Sequence, residues 1–269
     1  MNALGQGAVD VTNEGGSSPF VLVCDHASNF IPAQYGEMGL SATERSSHIA
    51  WDPGALEVSL ALSARLDAPL VASRISRLVI DANRDIDSPA LFWTLSEATR
   101  IAANENLPAS ERQHRIEAYY RPYHAAIESI LRKRQKAGRE TILVCIHSFT
   151  PVFLGVARPW QVGLIHGRDE TFTRALRAAL AAEAPALTIG WNEPYSARTG
   201  VTFTLEHHGD THGIEATMIE IRNDEILEPK GVAKWAELLA RCLTTARVSP
   251  RTAPLSGADN DRVTGGLHG

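Results

Sequence analysis

The sequence predicts a three-layer α/β/α sandwich built on a mixed, mainly parallel central sheet. Short apolar or β-branched runs alternate along the 269 residues with stretches whose apolar residues recur at helical spacing. Several of the short runs are apolar throughout, which is typical of strands buried on both faces of a sheet. The predicted strands cover residues 20–24, 70–73, 78–80, 141–146, 161–165, 187–189 and 217–221.

Four helices are predicted between and after these strands. The first begins at Asp52 and Pro53, which provide a cap and a first turn. A long second helix begins after Ser110 and should kink at Pro122, which has no N–H to donate, before it ends near residue 138. The other two helices cover residues 170–182 and 232–246.

The composition changes at both ends of the chain. Residues 1–18 and 248–269 are rich in glycine and small polar residues, which predicts flexible segments outside the packed domain. Residues 19–247 contain no internal repeat and no low-complexity linker. A single domain is therefore expected over that range.

Charge and cysteine content limit the function classes. A net charge of -5 and a pI of about 6.1 argue against a partner that is nucleic acid or anionic membrane, because both require a basic surface. No apolar run approaches the roughly 20 residues that span a bilayer, and the N-terminus does not resemble a secretory signal. Cys24, Cys145 and Cys242 cannot all pair within one chain, so a reduced, cytoplasmic protein is expected.

Polar residues end four of the predicted strands, where ligands of α/β sheets usually bind. His26 follows the first strand and His147 follows residues 141–146. Arg84 follows residues 78–80, and Glu220 lies within the last strand. One histidine after a strand is more often structural, but two at separate strand ends with carboxylates nearby favour a metal site. Neutral imidazole and carboxylate are the ligands that zinc takes in catalytic sites.

Seven segments strengthen this interpretation, in order from about residue 20 to 245: VCDHASNFIP (23–32), WDPGALEV (51–58), SRLVIDANRD (76–85), YYRPYH (119–124), IHSFTP (146–151), NEPYS (192–196) and MIEIRND (218–224). Together they resemble the N-formylglutamate amidohydrolases and, more distantly, the zinc carboxypeptidases. The resemblance implies a zinc-carboxypeptidase-like fold, a divalent metal such as zinc, and a small-molecule carboxylate substrate. It also implies cleavage of the amide bond of an N-formyl or other N-acyl amino acid, with N-formylglutamate as the named case.

The same resemblance implies roles for individual residues. His26 and His147 lie where the family's metal-binding histidines lie. Glu220 lies where zinc carboxypeptidases keep their general-base glutamate. Arg84 resembles the arginine of the Asn-Arg pair that holds a substrate carboxylate, and Arg77 is a second candidate for that anion.

The third metal ligand is where the sequence departs from the carboxypeptidases, which place His-x-x-Glu after the first strand. Asn29 stands three residues after His26, and an amide is a poorer zinc ligand than a carboxylate. Asp52 is the first candidate for this ligand and Asp25 is the second. Asp52 precedes a proline, so helix capping is its structural alternative.

Four further residues are candidate substrate contacts. Asn83 would contact the substrate or, with Asp81, orient the arginine loop. Tyr123 and His124 lie just after the predicted kink and could hydrogen-bond the substrate or pack into the core. Tyr195 lies in a loop that contains proline, with the same two alternatives.

Other assignments also have structural alternatives. Glu220 could form a buried salt bridge with Arg222 or Arg84, because alternation along a strand places residues 220 and 222 on one face. Arg84 could pair with Asp81 or Asp85. Residues 207–212 contain three histidines, but their glycine and polar content predicts a solvated loop.

Two rival functions remain open at this level. One is a carboxypeptidase-like metallopeptidase that acts on short peptides. The other is a non-catalytic protein that binds an acidic metabolite, which the presence of Asn29 would favour. A thiol-dependent amidase is disfavoured because no histidine and aspartate are anchored to Cys24 or Cys145.

Overall fold

The computed structural model describes residues 7–195 and 200–249. The strands are β1 (Val9–Thr12), β2 (Phe20–Cys24), β3 (Leu70–Ser73), β4 (Leu95–Ser96), β5 (Thr99–Arg100), β6 (Ile142–Phe149), β7 (Val152–Phe153), β8 (Val156–Ala157), β9 (Val162–Ile165), β10 (Ile189–Trp191) and β11 (Glu215–Arg222). The α-helices are α1 (Ala42–Ser46), α2 (Ala55–Leu66), α3 (Ala109–Arg115), α4 (Arg121–Lys136), α5 (Thr171–Glu183), α6 (Phe203–His208) and α7 (Pro229–Val248).

Seven strands form one mixed sheet in the order β1-β3-β2-β6-β11-β9-β10. The four central strands β3, β2, β6 and β11 are parallel, while β1 and β9 run antiparallel to their central neighbours. β10 is parallel to β9. The remaining strands form two short hairpins, β4–β5 and β7–β8. The predicted sandwich on a mixed, mainly parallel sheet is confirmed.

Alternation along the central strands fills a core on each face of the sheet. In β6, Val144 and Ile146 belong to a cluster that also contains residues of α2, α5 and α7. Leu143 and Cys145 belong to a second cluster with residues of α4 and α6. All three cysteines are buried and free.

Residues 78–80, predicted as a strand, form a turn instead. The N–H of Val79 donates to the carbonyl of Ser76 at 2.9 Å, and the segment packs into a third apolar cluster beside the sheet. An apolar run indicates that a segment is buried, but it does not show that the segment is a strand. Residues 78–80 are buried by packing against loops. The position of the residue that follows is fixed, because Asp81 donates its N–H to the carbonyl of Leu91.

The N-terminal part also differs from the prediction. Val9–Thr12, which was expected to be flexible, pairs antiparallel with β3 and forms the edge of the sheet. Four residues with only two apolar side chains give a weak strand signal, and long-range pairing decides the outcome. Residues 1–6 and 250–269, where flexible ends were also predicted, lie outside the described residues.

The helices largely match their predicted ranges. α2 begins after Gly54 rather than at Asp52, since the Asp52 side chain is directed towards two histidines. A π-helical turn at Ile116–Tyr120 joins α3 to α4 just before Pro122, at the expected interruption. In the part of the chain described, no helix combines the length and apolar character needed to cross a membrane.

Candidate metal and substrate site

A cleft opens near the carboxyl ends of β2, β6 and β11. Its walls come from these strands, from the loop that follows β3, and from the hairpins β4–β5 and β7–β8. The lining residues are His26, His48, Ile49, Asp52, Arg77, Asn83, Arg84, Trp93, Ser96, Glu97, His147, Ser148, Phe149, Thr150, Phe153, Tyr195, Val201 and Glu220.

Three lining residues bring potential metal ligands together. Oδ2 of Asp52 lies 2.8 Å from Nδ1 of His147 and 3.4 Å from Nδ1 of His26. One ligand atom from each residue can be chosen so that all lie within 4.8 Å of one another. Two imidazoles and one carboxylate at the wall of a cleft are a ligand set of the kind that catalytic zinc sites use.

The far side of each imidazole contacts a second carboxylate. Nε2 of His26 lies 2.7 Å from Oδ1 of Asp81, and Nε2 of His147 lies 2.9 Å from Oδ2 of Asp25. A hydrogen bond donated by Nε2 leaves the lone pair on Nδ1, so both lone pairs face Asp52. Carboxylates in this position fix the ring orientation and raise the basicity of a metal-binding histidine.

The structure separates the three candidates for the third ligand. Asp52 contacts both histidines on the side of the cleft. Asp25 lies behind His147, where it also accepts hydrogen bonds from Tyr123 at 2.9 Å and Thr204 at 2.6 Å. Asn29 donates its side-chain amide to the carbonyl of Arg45 at 3.1 Å and does not line the cleft.

Electrostatics in the site favour positive charge. Burial alone would lower the pKa of His147, but hydrogen bonds with Asp25 and Asp52 raise it well above its ordinary value. Burial alone would raise the pKa of Asp52, but the charge of His26 and the hydrogen bond from His147 hold it well below its ordinary range. The site therefore attracts cations, whether protons on the imidazoles or a metal ion.

Glu220 occupies the neighbouring strand to His147, with their Cα atoms in register. Its side chain is buried, and Oε2 has no hydrogen-bond partner among the described residues. Burial raises the pKa of Glu220 to about 7, even though the charge of His147 opposes the shift. The alternative pair with Arg222 is absent, because Arg222 contacts Asp224 at 2.8 Å instead.

Asp81 organises both candidate arginines. Its Oδ2 lies 2.7 Å from Nη2 of Arg77 and 3.7 Å from Nε of Arg84. The same oxygen accepts a hydrogen bond from the indole N–H of Trp93 at 2.9 Å, and both guanidinium groups lie over that indole ring. Nη1 of Arg84 also donates to the carbonyl of Gly200 at 2.6 Å. Both arginines reach the cleft wall while their planes are held by aromatic contact.

The other predicted contacts divide into two groups. Asn83 and Tyr195 line the cleft, although Asn83 also supports α6 by accepting from the N–H of Thr204 at 2.9 Å. Tyr123 and His124 do not line the cleft. Tyr123 is buried against Asp25 because its hydroxyl satisfies that carboxylate, and His124 contacts His208 at 2.9 Å.

Several residues of the site were not expected from the sequence. Trp93 lies in an irregular segment with no motif around it, and Thr204 lies in α6. His207 and His208 end that helix rather than forming a solvated loop, and His208 is fully buried. Apolar Phe203 and Leu205 were the available signal for helix α6, but the segment is too short to show a clear period.

Gly163 on β9 pairs with Glu220 in the sheet and determines how closely the next loop approaches. A side chain at this position would collide with the backbone carbonyl of Glu193. The loop that carries Tyr195 therefore lies directly on the strand beside the site.

Comparison with known proteins places the chain in a family. A family model described as N-formylglutamate amidohydrolase matches residues 18–227. The crystal structure of gene product Atu2144 from Agrobacterium tumefaciens is 43% identical, with a TM-score of 0.87 and coverage of 90% of this chain and 95% of that one. The N-formylglutamate amidohydrolase from Ralstonia eutropha JMP134 shares the fold at 22% identity, with a TM-score of 0.67 and coverage of 90% and 97%. No match was found among curated proteins. Because the family model covers well over half of the sequence, the chain belongs to the N-formylglutamate amidohydrolase family.

Proposed function

We propose that the protein is a metal-dependent amidohydrolase that releases the acyl group from an N-formyl or other N-acyl amino acid such as N-formylglutamate. The observation that carries the proposal is the convergence of His26, Asp52 and His147 beside Glu220, whose Oε2 has no hydrogen-bond partner in the part of the chain that the structure describes. Family membership supports amide hydrolysis, and the arginines of the cleft support a substrate that bears a carboxylate.

The charge balance of the site fits a divalent cation. Four buried carboxylates and two guanidinium groups lie around the two imidazoles, and this cluster has an excess of two negative charges when the carboxylates are ionised and both imidazoles are neutral. The carboxylates belong to Asp25, Asp52, Asp81 and Glu220, and the guanidinium groups to Arg77 and Arg84. His26, Asp52 and His147 would hold the metal, with zinc favoured by this ligand chemistry. When bound there, the metal supplies a Lewis acid for the amide carbonyl and lowers the pKa of water.

Glu220 is suited to move the proton of the reaction. Its pKa of about 7 and its free carboxylate oxygen allow it to accept a proton from the attacking water near neutral pH. It can then deliver the proton to the leaving nitrogen as the C–N bond breaks. For a formyl substrate the products are formate and the free amino acid.

Arg84 and Arg77 would hold the carboxylate of the substrate. Guanidinium groups form paired hydrogen bonds with carboxylates, and the contact with Trp93 limits how far they can turn. An anchored carboxylate fixes the position of the amide bond relative to Glu220. The binding energy of this remote group is thereby used for orientation.

A chelation and restoration assay tests the proposal. Hydrolysis of N-formylglutamate should stop when metal is removed and should return on addition of zinc. Full activity in protein shown to be free of metal would overturn the metal dependence. Dipeptides assayed in parallel should be poor substrates, whereas a preference for dipeptides would favour the carboxypeptidase-like alternative.

Substitution of the base gives a second test. Glu220→Gln should lower kcat by about 10²- to 10⁴-fold, the usual contribution of a general base, while the metal content stays unchanged. Glu183→Gln is the matched control, because Glu183 pairs with Arg241 on the surface. Near-normal turnover in Glu220→Gln would remove the base assignment.

A further inference from the structure

Arg158 lies behind an aromatic wall of the cleft. The residue follows β8, and its backbone is fixed by the N–H bond to the carbonyl of Pro151 at 2.8 Å. Its guanidinium carbon lies 4.4 Å from the ring centroid of Phe153, 5.0 Å from that of Tyr195 and 5.8 Å from that of Phe149. All three rings line the cleft, and Arg158 itself is only 9% exposed.

The guanidinium group of Arg158 has few partners for a buried cation. Within the part of the chain described, it forms one hydrogen bond, from Nη1 to the hydroxyl of Tyr195 at 3.3 Å, and no ion pair. Two other buried arginines have more hydrogen-bond partners than Arg158. Arg115 donates to Glu111 and to two further oxygens, and Arg134 donates to three oxygens, although its Nη1 has no partner and it forms no ion pair among the described residues.

A buried charge without a counterion is costly, so an unpaired guanidinium beside a ligand cleft indicates an anionic ligand. The guanidinium group carries five N–H donors, of which Tyr195 engages one in the part of the chain described, and paired donors of this kind suit the two oxygens of a carboxylate.

Tyr195 connects this region to the reaction centre. Burial raises the pKa of its hydroxyl, the charge of Glu220 raises it further, and Arg158 and Arg77 lower it. Tyr195 lines the same cleft as Glu220, and its hydroxyl accepts the hydrogen bond from Nη1 of Arg158. A ligand carboxylate beside the hydroxyl of Tyr195 would therefore lie close to the guanidinium group of Arg158.

We propose that Arg158 and Tyr195 form a second anion subsite, which binds the side-chain carboxylate of a dicarboxylic N-acyl amino acid. Arg77 and Arg84 hold the other carboxylate of the same substrate. The inference rests on the proposed function and deepens it, because it assigns the preference for an acidic side chain to named residues. The subsite recognises charge, so an uncharged side chain of the same shape is a poor ligand.

The test compares N-formylglutamate with N-formylglutamine, which replaces the side-chain carboxylate by an amide of nearly the same shape. The wild-type kcat/KM should favour the glutamate compound by about 10- to 100-fold, the usual value of a charged hydrogen bond. Arg158→Met should reduce this preference to about 3-fold or less, mainly through KM, and leave the glutamine compound nearly unaffected. Arg158→Lys should keep part of the preference, because it keeps the charge without the paired donors.

Arg174→Met is the matched control, because Arg174 also lies over an aromatic ring but does so at the exposed face of α5. Thermal melting of each variant confirms that it is folded. An unchanged preference in Arg158→Met, or an equal loss on both compounds in folded protein, would overturn the subsite.

Calorimetric binding of the same two compounds separates the subsite from the reaction. If the wild type hydrolyses neither compound, the proposed function fails. A glutamate preference in binding that Arg158→Met abolishes would still support the subsite, and equal binding of both compounds to the wild type would overturn it.

Discussion

The structure buries two pairs of histidines whose surroundings differ. The rings of His26 and His147 each contact two carboxylates, and both direct a nitrogen towards Asp52. His124 and His208 instead contact each other, and His124 contacts the backbone carbonyl of Ala82 at 3.0 Å. The pairs are comparable in burial, so their difference lies in the groups that face the rings.

The charge states of the two pairs follow from these contacts. Burial lowers the pKa of His124 to about 4 and that of His208 to about 3, because no carboxylate is hydrogen-bonded to either ring. Burial acts in the same direction on His26 and His147, but the carboxylates outweigh it and raise both pKa values. Burial alone thus makes a neutral, structural histidine, and added carboxylates make a site that attracts cations.

Replacing one histidine by glutamine in each pair should impair zinc binding and turnover in only one of the two cases. His147→Gln removes one of the three proposed metal ligands and should abolish bound zinc and lower turnover by about 1000-fold, since metal catalysis contributes several kcal/mol. His208→Gln should retain zinc and near-normal turnover. The measurements are metal content and kcat/KM on N-formylglutamate. Full zinc content in His147→Gln would contradict the assigned ligand set.

Removal of a carboxylate behind an imidazole should have an intermediate effect. Asp25→Asn and Asp81→Asn should each weaken zinc binding by about 10- to 100-fold, the usual effect of losing such a partner. Competition with a chelator of known affinity measures the change. Asp10→Asn is the control, because Asp10 pairs with Arg74 at the surface. Unchanged zinc affinity in both variants would show that the lone pairs need no such orientation.

The smallest expected effect is on the pH dependence of stability, and it concerns the pair His124 and His208. The folded-state pKa of His208, about 3, lies below its unfolded value of 6.5, so the unfolded chain takes up protons first as pH falls. The free energy of unfolding is therefore unaffected by His208 above pH 6.5, and it decreases progressively as the pH falls below that value. Between pH 7 and pH 5.5 the free energy of unfolding should decrease in the wild type. In His208→Gln this decrease should be smaller by about 1 kcal/mol, because the titrating group is absent. Denaturant unfolding at both pH values measures this, and identical losses would show that His208 does not titrate as the burial implies.

The sequence predicted the central fold because β2, β3, β6 and β11 are continuous apolar runs whose burial reflects pairing on both sides. The segment at 78–80 has the same composition and is equally buried, but packing against loops replaces pairing. Composition distinguishes buried from exposed segments. It does not distinguish a strand from a packed turn.

The residues of the candidate site were also predictable only in part. His26, His147 and Glu220 could be located because each lies at or near a strand end, where the topology fixes direction. The contacts that orient them join residues far apart in the chain, such as Asp25 with His147 and Asp81 with His26. Such pairs depend on how strands and loops are arranged in three dimensions. Arg158 had no expected role for the same reason, because its surroundings come from three separate segments.

The glycine on β9 has a consequence for how the enzyme can tolerate change. Gly163 makes no side-chain contact, yet a single methyl group there would displace the carbonyl of Glu193 and, with it, the loop that carries Tyr195. A position without any functional group therefore accepts no side chain unless that loop moves, and its lack of a side chain allows the loop to lie beside the strand that carries Glu220.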